Sequence, residues 1–102
     1  MVRLFALASI AGAMCFGESW TGKLVDAGCV ERHEQSIDEC SPMRNTTAYA
    51  VKLPDGRLLR FDDTGNARAA ELMKNRSGAV TVRITGLLEG PDAVRVDAID
   101  IQ

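Results

Sequence analysis

The sequence predicts a mainly β fold that closes as a small five-stranded barrel, and three observations predict it. Five short segments, near residues 20–26, 47–53, 57–62, 79–88 and 93–101, alternate apolar and polar residues as half-buried strands do. Strong turn signals, Pro54-Asp55-Gly56 and Glu89-Gly90-Pro91-Asp92, separate two adjacent pairs of them. One segment rich in helix formers lies between the third strand and the fourth. Strand, long loop, hairpin, helix, hairpin is the order of an OB-fold-like Greek-key barrel, with its one short helix between strands 3 and 4. An open five-stranded sheet with a helix across one face gives the same string.

The N-terminus reads as an export signal. Arg3 supplies a positive start, and Leu4–Met14 is an unbroken run of apolar or small residues. The run falls short of the roughly 20 residues that a spanning helix needs. Residues 1–17 are therefore expected to be a cleaved signal peptide, and residues 18–102 the barrel domain. Cleavage after Gly17, with Cys15 two positions earlier, fits the small-x-small rule, and cleavage after Ala13 is a second option. A lipid anchor on Cys15 is the rival reading. The preceding Gly12-Ala13-Met14 lacks the usual leucine and places a bulky Met beside the cysteine. The expected location is secreted or periplasmic, in a bacterium, with no membrane span after cleavage.

Charge and cysteines follow from this. The chain carries 12 Lys plus Arg against 14 Asp plus Glu, a formal charge of −2. Losing Arg3 leaves 11 basic residues against 14 acidic ones, or −3. That balance argues against a nucleic-acid binder, which carries a basic excess. Removing Cys15 leaves Cys29 and Cys40, and an even count in an exported protein implies one disulfide between them. A domain of about 85 residues has a marginal core, and a staple closing a loop of this size adds about 2–3 kcal/mol.

Taken in order, Trp20–Asp26 is the first strand, with Trp20, Gly22 and Leu24 on one face and Thr21 and Lys23 on the other. Gly22 marks a bend or bulge. Trp20 is expected to be the largest core side chain. Ala27-Gly28-Cys29 ends the strand. Val30–Thr46 is polar and has room for a helical turn at 30–35, but Ser41-Pro42 stops anything regular. It reads as a loop pinned by Cys29 and Cys40, and loops this long are either functional or stapled.

Thr47–Leu53 places Tyr49, Val51 and Leu53 inward and Ala48, Ala50 and Lys52 outward. Arg57–Asp62 completes a hairpin with Leu59 and Phe61 inward and Leu58 and Arg60 outward. Asp62-Asp63-Thr64 offers N-cap oxygens to a helix over Asn66–Arg76, whose Ala69, Leu72 and Met73 share a face. Lys74 and Arg76 suit the negative end of its dipole, and Ser77-Gly78 ends it. In Ala79–Leu88, Val80, Val82 and Ile84 face inward and Thr81, Arg83 and Thr85 outward. Ala93–Ile101 sets Val94 and Val96 in one phase and Ile99 and Ile101 in the other, which implies a bulge near Asp97-Ala98.

Ser19-Trp20-Thr21-Gly22-Lys23-Leu24-Val25-Asp26, then Cys29, Cys40, Tyr49-Ala50-Val51, and Val80-x-Val82-x-x-x-Gly86 with Val96, resemble the pattern of small exported bacterial OB-fold-like domains of unknown function. The resemblance spans roughly residues 19–101. It implies a periplasmic or secreted binding or structural module and brings no catalytic residues.

No catalytic constellation, metal motif or cofactor motif stands out, so the expectation is a non-enzymatic protein with no cofactor. A metal- or thiol-dependent site at Cys29, His33 and Cys40, completed by Asp26, Glu34 or Glu39, is the alternative. Its spacing matches no standard zinc motif, and no Cys-x-x-Cys is present. Glu31, Glu34, Asp38 and Glu39 make the loop acidic without the alternation of a calcium loop. His33, the lone histidine, reads as an exposed loop residue. A single-stranded nucleic-acid or oligosaccharide binder is the third reading. It needs outward aromatics, and only an inverted phase would turn Tyr49 and Phe61 outward as a stacking pair. The leading expectation is a monomeric module that binds a small ligand or a partner protein. Its contact surface would be the outer hairpin face and the stapled loop, with Lys52, Leu58, Arg60 and Arg83 as ligand-binding residues.

Overall fold

A computed structural model describes residues 17–32, 40–76 and 78–102. The expected signal segment, apart from Gly17, lies outside the described residues, as do His33, Glu34, Asp38 and Glu39. Five strands, β1 (Glu18–Asp26), β2 (Tyr49–Lys52), β3 (Leu58–Phe61), β4 (Thr81–Leu88) and β5 (Ala93–Ile101), form a closed barrel in the order β1-β2-β3-β5-β4. Four of the pairings are antiparallel, and β3 runs parallel to β5. Among the described residues two helices join them: α1 (Ala27–Arg32) follows β1, and α2 (Asp63–Leu72) lies between β3 and β4. This is the expected OB-fold-like Greek-key barrel, and its closure removes the open-sheet alternative.

Closure happens on β1. Residues Glu18 to Lys23 pair with β4, and Lys23 to Asp26 pair with β2. Lys23 is the corner, paired on both sides. Beside it, a Cβ on Gly22 would stand 2.3 Å from the carbonyl oxygen of Lys52, so the bend accepts no side chain. A second close approach lies across the barrel. Thr85 pairs with Ala98 and Gly86 with Val96, leaving Asp97 as the extra residue of a bulge. A Cβ on Gly86 would meet the carbonyl oxygen of Arg95 at 1.9 Å. The bulge accounts for the expected change of phase: Val94 and Val96 are buried on one side of it, while Ile99 and Ile101 pack on the same core from the other.

The interior is aliphatic. Leu24, Val51, Leu59, Val82, Ile84 and Val94 retain no exposed surface. Tyr49 and Phe61 also point inward. Trp20 departs from expectation: it is half-buried at the margin of the core. The reason is positional, because Trp20 is flanked by β4 alone and β2 joins β1 only from Lys23 onward.

Helix α2 closes one end of the barrel with Ala69 and, at its C-cap, Met73. It is fixed at both flanks. Asp62 caps it, its Oδ1 accepting from the amides of Gly65 (2.9 Å) and Val96 (3.1 Å). Asn66 Oδ1 accepts from the amide of Tyr49 at the start of β2 (2.8 Å). The helix starts earlier than the expected Asn66, because Gly65 lies flat against Val96 and is held by the cap. It ends at Leu72 rather than Arg76, and residues 73–75 form a turn.

A second correction concerns residues 27–32, expected to end a strand and open a loop. They form α1, because Asp26 Oδ1 accepts from the amide of Cys29 (3.0 Å) and caps a helix start that the sequence disguises with Gly28.

Candidate functional site

Among the described residues, the stapled segment after β1 is held by means other than strand pairing. Cys29 on α1 is bonded to Cys40, with Cα atoms 5.5 Å apart across a separation of 11 residues. The disulfide and α1 cover the outside of the barrel. Val25, Ala27, Val30, Cys40 and Ala50 are buried together, with Cys29, Ala48 and Leu58 packed around them. Ala50 was expected on an open outer face; it retains no exposed surface because α1 and the disulfide lie over it.

The four expected ligand-binding residues lie on three strands. Lys52 is half-buried on β2, in register with Lys23 and Leu58. Leu58 on β3 packs on the covered cluster. Arg60 is exposed and pairs with Glu31 of α1. Arg83 is exposed on β4, in register with Thr21 and Asp100. None of them lines either of the two clefts beside the loop.

Those clefts are built by residues 40–48, through a chain of hydrogen bonds that starts at Asp26. Asp26 Oδ2 accepts from Thr46 Oγ1 (2.7 Å), which itself accepts from the amide of Met43 (2.9 Å). The amide of Thr46 donates to the carbonyl of Met43 (3.1 Å), closing a turn over Met43-Arg44-Asn45-Thr46. The amides of Asp26 and Ala27 donate to the carbonyls of Cys40 (2.8 Å) and Ala48 (2.9 Å), fixing both ends of the loop to β1 and α1. Asp26 thus caps a helix and orders a turn 20 residues away, a double role that nothing in its sequence neighbourhood announces.

On one side of the turn lies a cleft of about 410 Å³, between α1 and the loop, with Asp26, Arg32, Ser41 and Asn45 in its walls. On the other side lies one of about 390 Å³, between the loop and the end of α2. Met43, Tyr49, Ala70 and Met73 give that second cleft an apolar wall, and Arg44, Lys74 and Asn75 a polar one. Both volumes fall within the range of small-molecule sites. These walls are not legible in the sequence, because they come from two segments each explained locally: a polar loop, and cations just past a helix end.

Tyr49 joins the cleft to the core. Its hydroxyl donates to the carbonyl of Thr46 (3.3 Å), and burial, with the Asp26 carboxylate second, raises its pKa above the ordinary 10. The unfolded phenol ionises first as pH rises, so the folded state then holds more protons and loses stability above about pH 10. Tyr49→Phe is expected to lower stability at neutral pH by about 1 kcal/mol through the lost hydrogen bond. It should also make the alkaline decline shallower than in the wild type. Urea melts of both proteins between neutral pH and strong alkali check this, and parallel declines would contradict it.

Among the described residues no three His, Cys, Asp or Glu side chains converge to hold a metal ion. Among them, no helix is long and apolar enough to cross a membrane. No family model, curated protein or solved structure matches the chain.

Proposed function

We propose that the chain is a small, secreted or periplasmic, non-enzymatic binding module of bacterial type, whose ligand seats in the clefts beside the disulfide-stapled loop. The observation that carries this reading is the construction of the loop. A disulfide, a capped helix and the Asp26–Thr46–Met43 hydrogen bonds hold residues 40–48 in one conformation on a rigid barrel. A barrel of this size needs only a short connection from β1 to β2, and long connections are where binding surfaces lie. The disulfide supports export, since such bonds persist in oxidising compartments. The thiol or metal alternative at Cys29, His33 and Cys40 calls for free sulfurs, and the two cysteines are bonded to each other. A single-strand binder calls for outward aromatics, and Tyr49 and Phe61 are 2 % and 7 % exposed.

A thermal-shift screen of small polar metabolites against the oxidised, intact protein tests the reading. A ligand at a hundred times its Kd adds about 2.7 kcal/mol to stability. Hits are expected to raise Tm in the oxidised protein and to lose the effect after reduction. A screen and a pull-down from periplasmic extract that both return nothing would end the proposal. Sequencing the N-terminus of the exported protein tests the location: it should begin at Glu18 or Met14, and a full-length chain retained in the cytosol would contradict export.

A further inference from the structure

A wall of positive charge lies where the loop turn meets the end of α2. Arg44 stands at the tip of the Met43–Thr46 turn, and Lys74, Asn75 and Arg76 wrap the C-terminus of the helix. Together these four line a notch of about 220 Å³ that adjoins the 390 Å³ cleft through Arg44, Lys74 and Asn75. Among the described residues no carboxylate lines either space, although the chain as a whole is acidic and Glu71 joins Lys74, Asn75 and Arg76 in the wall of a neighbouring cleft. Among the described residues Arg44 and Arg76 have no ion-pair partner. Lys74 has only an exposed contact to Glu71 at 3.8 Å, a pairing worth little.

Lys74 and Arg76, expected in the last turn of the helix, lie just beyond its C-cap Met73, where the partial negative charge of the helix end still favours cations. That charge does not explain Arg44, which a separate segment brings there on an ordered turn. Nor does the partial negative charge of the helix end cancel three full charges. Its last carbonyls are partly occupied, those of Ala69, Glu71 and Met73 accepting from the amides of Met73, Lys74 and Arg76.

We propose that this notch and the adjoining cleft form one site for a small-molecule phosphate monoester. The dianionic phosphate is held by Arg44, Lys74 and Arg76, and the organic part lies against Met43, Tyr49 and Met73. Guanidinium forks supplied by two separate segments suit the oxygens of a tetrahedral dianion, with the ammonium as a third point charge. The two methionines give a deformable apolar wall that suits a flat or branched body. The inference rests on the loop being the binding surface and adds the chemical class of its ligand.

The test uses phenyl phosphate, inorganic phosphate, benzoate and phenol, titrated by NMR into the oxidised intact protein. Phenyl phosphate is expected to bind saturably, shifting the amides of Arg44, Asn75 and Arg76 and the methyls of Met43 and Met73. Inorganic phosphate, without the ring, is expected to bind about tenfold more weakly. Benzoate, with one charge, should also bind about tenfold more weakly, and phenol should not saturate. Arg44→Glu with Arg76→Glu removes two charge-assisted contacts and should weaken phenyl phosphate about a hundredfold or more. Both residues are exposed, so the melting curve of this variant should match the wild type and exclude misfolding as the cause. Equal binding of benzoate and phenyl phosphate, or unchanged binding by the charge-reversed protein, would overturn the proposal. So would the absence of saturation at millimolar phenyl phosphate. If other ligands still map to the two clefts in that case, the phosphate assignment alone fails and the binding surface stands.

Discussion

Gly86→Ala is expected to cost the fold about 3 kcal/mol or more, a large part of what a domain of this size has. The new methyl would sit 1.9 Å from the carbonyl oxygen of Arg95, an atom of the backbone that no rotamer change can move aside. Relief requires β4 and β5 to separate at the Asp97 bulge, where the register between them shifts. Gly28→Ala is the matched control. Gly28 lies in α1, and a Cβ there meets the flexible end of Arg32 (Nη1 at 3.3 Å) and the capping Asp26 Oδ1 at an ordinary contact distance of 3.4 Å. That substitution is expected to stabilise by about 0.5–1 kcal/mol, from helix propensity and a less flexible unfolded chain. Urea denaturation midpoints of the two variants should therefore move in opposite directions. Equal, small shifts would mean that the strands are not in close contact at Gly86.

Removing the staple is the second large effect. Cys29→Ser with Cys40→Ser is expected to lose about 3 kcal/mol, from the chain entropy of a loop this size. The loss should be local before it is global. Helix α1 has six residues, far too short to persist on its own, and it stays in place through its cap, the disulfide and the cluster around Val25 and Ala50. Amides of residues 27–32 should therefore exchange with solvent much faster in the double variant, while those of Val82, Ile84 and Val94 keep most of their protection. Reductant should reproduce the loss in the wild type and do nothing further to the double variant. A wild type whose melting is indifferent to reductant would contradict the account.

The barrel was legible because its strands carry the period-two pattern on one buried face, and because Pro54-Asp55-Gly56 and Asp62 are strong local signals. The Asp97 bulge was legible for the same reason, as a break in that period. What the sequence concealed depends on partners distant in the chain. The Asp26 cap is hidden because Ala27-Gly28-Cys29 reads as the end of a strand, and Thr46, which completes its hydrogen bonds, lies 20 residues on. Ala50 followed the outward phase correctly but lies under α1, a layer that alternation cannot foresee. The cationic notch was invisible for a similar reason: Lys74 and Arg76 have a sufficient local explanation, and only folding brings Arg44 beside them. Trp20 misled through its size, since burial depends on how many strands flank a position.

The central claim is that ligand binding belongs to the clefts beside the stapled loop and not to the outer face of the hairpin. Backbone and methyl NMR of the oxidised protein, with any ligand that raises its Tm, tests this most directly. The account predicts shifts clustered at Met43, Arg44, Thr46, Tyr49 and Met73. Shifts clustered instead at Lys52, Leu58, Arg60 and Arg83 would contradict it.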